Sequence, residues 1–441
     1  MVFSRIFGKQ PAADAAPPAR SEQPPDDAED VGADAAEGVE GEHEVADWAA
    51  RARRVIAGGA STGSKRPDRL FGDFSEMPTH FVRAAGCRVE TVDGEELVDC
   101  TMALGSVALG YAEPQLTRAV IEALASGSVS GLSPALEVEV AEAFCGVVPC
   151  AERVQFFKTG ADAMSAAIRI ARTYTNRDVV VVGAGYFGWH DWASDAAGVP
   201  PTTQQLTLRI PFDDVRALDA AAARAGEGLA AIVIEPVVER LPSKEWVQRA
   251  RSLCDERGAV LIFDEIKTGF RIATAGYQQY ADITPDLAAF GKAMANGYPL
   301  AAVGGHKNLM DAAEKTWISS TLASETGALT AAAAVLSWHQ RIDVCASLWS
   351  IGKEMRDAIA AAIAASGLEG VTVDGIDPMW LLRWDDPARE TDFLRAAVRN
   401  GVLFKRGAYN FAALAHDEDA LREIEAGASA AFVELRERES E

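Results

Sequence analysis

The stretch that decides the fold runs over residues 259–305 and reads AVLIFDEIKTGFRIATAGYQQYADITPDLAAFGKAMANGYPLAAVGG. Its first apolar run, residues 259–263, is rich in strand-forming residues and predicts a strand buried on both faces of a parallel sheet. Asp264 follows this run and is therefore expected at the carboxyl edge of the sheet, where open α/β sheets bind ligands. Lys292 follows a second apolar run, residues 287–291, where burial would lower its pKa and make the neutral amine a usable nucleophile.

An acid and a lysine in these two settings suit one chemistry. Pyridoxal phosphate forms a Schiff base with a lysine, and an acid that pairs with its pyridinium nitrogen keeps the ring an electron sink. Lys292 and Asp264 are the candidates for these two roles. The plainer alternative is that Asp264 caps a helix and Lys292 is a solvated surface residue, which is the simpler interpretation for either residue alone.

Length and charge narrow the possible classes of protein. A chain of 441 residues exceeds one ordinary core, so we expect two or more domains. The net charge of -23 argues against nucleic acid and anionic membranes as partners, and no apolar run has the length of a membrane span. The six cysteines form no C-x-x-C pair and predict reduced thiols in the cytoplasm, while the six histidines show no metal-ligand spacing.

Strand and helix patterns alternate from residue 150 to residue 305, which predicts an α/β fold with a mostly parallel, doubly wound sheet. Several of these strands end in polar or Gly-rich turns, which one ligand at the carboxyl edge would explain together. The pattern after residue 305 predicts a smaller α+β domain, with strand-like stretches at residues 370–385 and 401–415. Nearer the start, Asp93 and Gly94 lie between two strand-like runs and predict a hairpin. The expected divisions are a disordered acidic tail with 11 acidic and 3 basic residues (1–45), an N-terminal segment of the small domain (46–105), a large domain (106–325) and the C-terminal small domain (326–441).

One of these turns follows a short strand at residues 153–157 and opens a helix. Thr159 and Asp162 have the spacing of a capping box. The free N–H groups at a helix N-terminus bind anions, so a phosphate ester would fit at Gly160 and Ala161. An ordinary capped helix explains the same residues equally well.

A second turn, residues 183–188, has the G-x-G-x-x-G spacing of a dinucleotide site and supports an NAD-dependent oxidoreductase as an alternative. The residues that follow do not fit such a site, because the sequence WHDWASD after Gly188 lacks the small and aliphatic residues of the expected helix. No second strand ends in an acid at the required distance. The other interpretation is that Tyr186 presents a flat face to a flat ring.

In the combination and order of these motifs, the sequence resembles the class III aminotransferases, which are pyridoxal phosphate enzymes of fold type I. The resemblance covers residues 50–435 and is strongest to the glutamate-1-semialdehyde aminomutase branch. It implies an aminotransferase that moves an amino group from an amino-acid donor to a carbonyl acceptor, and a homodimer.

The resemblance also assigns roles to single residues. Lys292 matches the Schiff-base lysine, Asp264 the acid at the ring nitrogen, Tyr186 the stacking aromatic, and Thr321 the threonine that reaches the phosphate from the partner subunit. The cofactor-binding residues that it implies are Thr159, Gly160, Ala161, Tyr186, Glu235, Asp264, Lys292 and Thr321.

Some departures from the family pattern bear on the reaction. Ala161 stands where the family has a hydroxyl, and Phe187 where it has a histidine. Only 20 positions separate Gly188 from Leu208, whereas the aminomutase has a long gating loop there. The short segment disfavours a 2,1-aminomutase, which stays an alternative together with a racemase or decarboxylase of the same family.

Overall fold

The computed structural model describes residues 47–440, so the predicted acidic tail lies outside the described residues. Its helices are α1 (Trp48–Val55), α2 (Pro67–Phe71), α3 (Met102–Gly105), α4 (Pro114–Ala125), α5 (Ala135–Val147), α6 (Gly160–Thr175), α7 (Pro201–Gln204), α8 (Val215–Ala225), α9 (Lys244–Arg257), α10 (Tyr277–Ala281), α11 (Lys307–Met310), α12 (Thr326–Arg341), α13 (Val344–Ser366), α14 (Pro387–Arg399) and α15 (Glu418–Ser440). None of the helices in this range has the length and apolar character that a membrane crossing requires.

The strands are β1 (Phe81–Ala85), β2 (Arg88–Thr91), β3 (Glu96–Asp99), β4 (Arg153–Phe157), β5 (Val179–Val182), β6 (Thr207–Arg209), β7 (Leu229–Ile234), β8 (Val260–Asp264), β9 (Leu287–Phe290), β10 (Ala301–Gly305), β11 (Val371–Ile376), β12 (Met379–Trp384), β13 (Val402–Leu403) and β14 (Asn410–Phe411). They form three sheets.

The central sheet has seven strands in the order β4-β10-β9-β8-β7-β5-β6. β10 is antiparallel to both neighbours, and the other neighbouring pairs are parallel. Every residue of β7, β8 and β9 is buried, because helices cover both faces of the sheet. The predicted α/β fold with a mostly parallel sheet is thereby confirmed.

Side chains of each central strand alternate between two apolar cores. In β8, Leu261 and Phe263 join the core that contains Trp246 of α9. Val260 and Ile262 join the core that contains α6. The sheet is thus held between two helical layers, which fixes the positions of its strand ends.

The two smaller sheets join segments from both ends of the chain. β2 and β3 form the predicted hairpin, with Gly94 at a φ of 84° in the turn. β3 also pairs in parallel with β13, and β11, β12 and β14 form an antiparallel sheet. The strand-like expectation for residues 401–415 was largely wrong, since only two strands of two residues each form there. The domain limits given above stay a prediction.

Two glycines in helices provide a matched test of packing. A β-carbon at Gly352 in α13 would overlap the carbonyl oxygen of Asp377, whereas one at Gly146 in α5 would meet nothing within 4 Å. We expect Gly352→Ala to lower the free energy of unfolding by about 1–3 kcal/mol through overpacking. Gly146→Ala should raise it by about 0.5–1 kcal/mol through helix propensity. Denaturant unfolding followed by circular dichroism measures both, and equal effects of the two changes would contradict the described packing.

Candidate active site

Three charged residues meet at the carboxyl edge of the central sheet. β8 lies between β7 and β9, and all three strands run parallel. Glu235 follows β7, Asp264 ends β8, and Lys292 comes two residues after β9. The topology therefore places these three side chains at neighbouring strand ends.

The Asp264 carboxyl group is almost fully buried, at 2% exposure. Its Oδ1 accepts a hydrogen bond from the Ile266 amide at 3.1 Å, but its Oδ2 has no partner within residues 47–440. Burial, reinforced by the nearby carboxylate of Glu235, raises the pKa of Asp264. A buried acceptor without a donor is costly, so Oδ2 fits the ring N–H of a bound pyridinium group.

Lys292 occupies an unusual backbone position. Its φ of 47° lies in the left-handed region, which costs a non-glycine residue about 1–2 kcal/mol. The turn that follows is held by the buried Asn296, whose Oδ1 accepts from the amides of Ala108 and Leu109 at 2.9 Å and whose Nδ2 donates to Gly110 at 3.0 Å. Strain that the surroundings hold in this way clusters at functional sites.

The amine of Lys292 is poised to lose its proton. Burial, together with the positive charge of Lys267, lowers the pKa of Lys292 to about 8 against the opposing effects of Glu235 and Asp264. A much larger fraction of the amine is therefore neutral near physiological pH than in an ordinary lysine.

A second lysine belongs to this cluster. Lys267 is buried and forms an ion pair with Glu235 at 2.5 Å, and its Nζ lies 4.2 Å from the centroid of the Tyr409 ring. Burial alone would lower the pKa of Lys267, but Glu235 and Tyr409 outweigh it and raise the pKa. Sequence reasoning missed both Lys267 and Tyr409. The only available signal was the place of Lys267 three positions after Asp264 in FDEIKTGFR.

The turn before α6 has the geometry of an anion cradle. Thr159 and Asp162 form the predicted capping box, in which the Asp162 amide donates to the Thr159 hydroxyl at 3.1 Å and the Thr159 amide to Asp162 at 3.2 Å. Gly160 and Ala161 are the first two residues of the helix, so their N–H groups have no partner within it. A β-carbon at Gly160 would approach the Ile266 side chain to 2.7 Å, which brings this turn against the segment after Asp264.

The glycines at 183–188 serve close packing. No helix begins at Gly188, so the dinucleotide alternative lacks the helix it requires. A β-carbon at Gly185 would lie 2.5 Å from Glu235 Oε2, and one at Gly188, where φ is 95°, would lie 2.6 Å from the Ala161 β-carbon. These glycines let the loop approach both Glu235 and the anion cradle.

Three of the predicted cofactor-binding residues, Thr159, Tyr186 and Thr321, are exposed in the single chain. The Tyr186 amide donates to Glu235 Oε2 at 2.8 Å, which fixes its backbone, but the side chain is 74% exposed. The Thr321 residue is also exposed. One chain thus brings together the predicted residues from 159 to 292, while Thr321 stays open to solvent.

Known proteins are similar to this chain in sequence and in fold. The model of the class III aminotransferase family matches residues 73–194 and 189–415. The chain is 31% identical to a glutamate-1-semialdehyde 2,1-aminomutase of Methanopyrus kandleri over 85% of this chain and 94% of that protein. It is 32% identical to a 2'-deamino-2'-hydroxyneamine transaminase of Streptomyces kanamyceticus over 83% of this chain and 92% of that protein. The pyridoxal phosphate form of the FumI protein from Sphingopyxis sp. MTA144 has a TM-score of 0.85 at 27% identity, over 89% of this chain and 97% of that one.

The lowered pKa of Lys292 predicts how its amine reacts in the cofactor-free protein. Acetylation of Lys292, followed against pH by mass spectrometry, should reach its half-maximal rate near pH 8. Lys267→Met should move this midpoint to higher pH, because it removes a nearby positive charge and leaves Glu235 unpaired. Acetylation of the exposed Lys244 in the same samples measures the activity of the reagent at each pH and serves as the control. An unchanged midpoint in Lys267→Met would contradict the electrostatic coupling.

Proposed function

Because the chain belongs to the class III aminotransferase family, whose cofactor is pyridoxal phosphate, we propose that it moves an amino group from an amino-acid donor to a carbonyl acceptor. The observation that carries the proposal is the buried Asp264, whose free Oδ2 lies at the same sheet edge as the readily deprotonated Lys292. A ring that carries an N–H at one end and an aldehyde at the other suits these two groups.

When bound, pyridoxal phosphate supplies an electron sink for the bond that breaks at the donor's α-carbon. Asp264 would accept the ring N–H at Oδ2 and hold the proton on that nitrogen. Lys292 would hold the cofactor through Nζ and, as a neutral amine, would accept the α-proton of the donor. The amides of Gly160 and Ala161 would donate to the phosphate.

Other residues would orient the ring and tune the charge. Tyr186, anchored by its amide to Glu235, would cover one face of the ring. Glu235 and Lys267 hold each other as an ion pair, so the positive charge of Lys267 stays close to Lys292 and disfavours a second positive charge on its amine.

The segment after Gly188 supports transamination over intramolecular amino migration. The segment of residues 189–206 is short and is attached to β6 by two hydrogen bonds. Thr207 Oγ1 donates to the Trp192 carbonyl at 2.7 Å, and Arg209 donates to the Ala193 carbonyl at 2.6 Å. A short segment held in this way would not close over the site as a long gating loop does. The product of the first half-reaction could then leave before the second begins. The 2,1-aminomutase is the second candidate, because relatives of that name match most of the chain.

We include a homodimer in the proposal. The stretch around Thr321 exposes large apolar groups, with Trp317 at 89% and Leu322 at 52% exposure. Apolar side chains exposed in one stretch are typical of an interface. Thr321 would reach the phosphate of the partner's site. The six cysteines are unpaired, which supports a cytoplasmic location.

The donor half-reaction tests the function directly. Protein loaded with pyridoxal phosphate should show a visible absorbance band that one amino donor, L-glutamate or L-alanine, bleaches while releasing the keto acid. Lys292→Ala should slow this bleaching by about 10²–10⁴-fold, because it removes the proton-transfer amine. Asp264→Asn should slow it as well, since the amide lacks the charge that holds the ring proton. A band that persists with every donor, or bleaching at the normal rate in Lys292→Ala, would contradict the proposal.

The dimer proposal predicts a measurable contribution of Thr321 to cofactor affinity. Thr321→Ala should raise the dissociation constant for pyridoxal phosphate about tenfold or more, because it removes a hydrogen bond to a charged phosphate. Thr202→Ala, an exposed change of the same type in α7, is the matched control. Sedimentation should give a dimer for the unchanged protein and for both variants. A monomer that binds the cofactor with undiminished affinity would contradict the shared site.

A further inference from the structure

A pocket of about 370 Å³ outside the site described above has a strongly positive lining. Its walls are formed by Gly63, Ser64, Arg66, Arg69, Lys405 and Arg406. Four of these six residues carry a positive charge, in a chain with a net charge of -23. A cluster of like charges is unfavourable unless a ligand of opposite charge binds there.

Lys405 is a largely buried cation on the wall of this pocket. Its side chain is 8% exposed, and its Nζ donates to the Ser64 carbonyl at 3.1 Å. Among residues 47–440, no carboxylate lies within ion-pair distance of it. Burial lowers the pKa of Lys405, although the charge of the nearby Glu390 carboxylate opposes that shift. A buried, unpaired charge is costly, and an anion in the pocket would offset that cost.

Within residues 47–440, several N–H donors of these arginines make no hydrogen bond. Arg406 donates to two carbonyls, those of Arg69 at 3.3 Å and Pro387 at 3.5 Å. Arg66 contacts Asp68 at 3.4 Å. In the described part of the chain, Asp68 is therefore the one carboxylate in ion-pair contact with these cations.

The pocket and the active site share one chain segment. The Lys405 amide donates to the Asn410 side chain at 2.9 Å, which closes the loop 405–410. Within this loop Tyr409 lies against Lys267, the ion-pair partner of Glu235. A group held by Lys405 and Arg406 would therefore lie on the loop that also contacts the amino-transfer site.

We propose that this pocket binds the phosphate ester group of a substrate, so that one of the two amino-transfer partners is a phosphorylated amine or carbonyl compound. The inference rests on the proposed function. Guanidinium groups donate paired hydrogen bonds to phosphate oxygens, and Lys405 adds a point charge. A dianionic phosphate matches the excess of positive charge better than a singly charged carboxylate.

Calorimetric titration of the cofactor-loaded protein tests the pocket, because the phosphate of pyridoxal phosphate then occupies its own cradle. The probes are inorganic phosphate, glycerol 2-phosphate and glycerol. We expect one site per chain for which the first two compete, and no binding of glycerol. Lys405→Met and Arg406→Met should each weaken phosphate binding at least about tenfold, the loss expected for a charge-assisted hydrogen bond. Arg54→Met removes an equal charge from an exposed position outside the pocket and should leave phosphate binding unchanged.

Three results would overturn the inference: no phosphate bound by the loaded protein, undiminished binding in Arg406→Met, or failure of glycerol 2-phosphate to compete with inorganic phosphate. The last result would show a site for free phosphate alone. Arg406→Lys keeps the charge and should bind with intermediate affinity, which guards against a folding defect in Arg406→Met. The visible band of the cofactor, recorded on the same samples, separates a failure of the pocket from a failure of the proposed amino transfer.

Discussion

Four charged side chains are packed at one edge of an otherwise apolar sheet, and the electrostatic cost of that burial constrains everything around them. Glu235 and Lys267 neutralise each other at 2.5 Å. Burial raises the pKa of Asp264 and lowers the pKa of Lys292. In the chain without cofactor both shifts favour the neutral forms, and the neutral amine of Lys292 can accept a proton. A positively charged ring nitrogen beside Asp264 would favour its carboxylate form again.

The rest of the fold holds this arrangement in place. The fully buried strands β7, β8 and β9 have no freedom to shift in register, because each alternates its side chains between two packed cores. Asn296 extends that rigidity to the turn of Lys292 by bridging it to residues 108–110. A strained backbone at Lys292 is thus supported by segments far apart in sequence.

The central sheet could be predicted from sequence because burial on both faces produces uninterrupted apolar runs, as in residues 259–263. The hairpin at Gly94 and the cap at Thr159 were predictable because each depends on a few adjacent residues. The family and its cofactor followed from the order of motifs and are confirmed.

Lys267 and Tyr409 could not be found in this way, since their contact forms only when two distant segments fold together. The short strands of residues 401–415 were overestimated because side-chain hydrogen bonds, such as that of Asn410 to the Lys405 amide, replace strand pairing there. The assignment of Thr321 stays a prediction.

The double use of Glu235 has a consequence for how this chain can change over evolutionary time. One carboxylate oxygen accepts the Tyr186 amide, and the other neutralises Lys267. A neutral residue at position 235 would leave Lys267 as a buried cation without its partner. A neutral residue at position 267 would leave Glu235 as a buried anion without its partner. Drift at either position must therefore pass through a disfavoured intermediate, so the two positions are expected to covary among descendants of this chain. The nearby glycine at 185, whose β-carbon would lie 2.5 Å from the same carboxylate, should stay fixed for as long as the acid does.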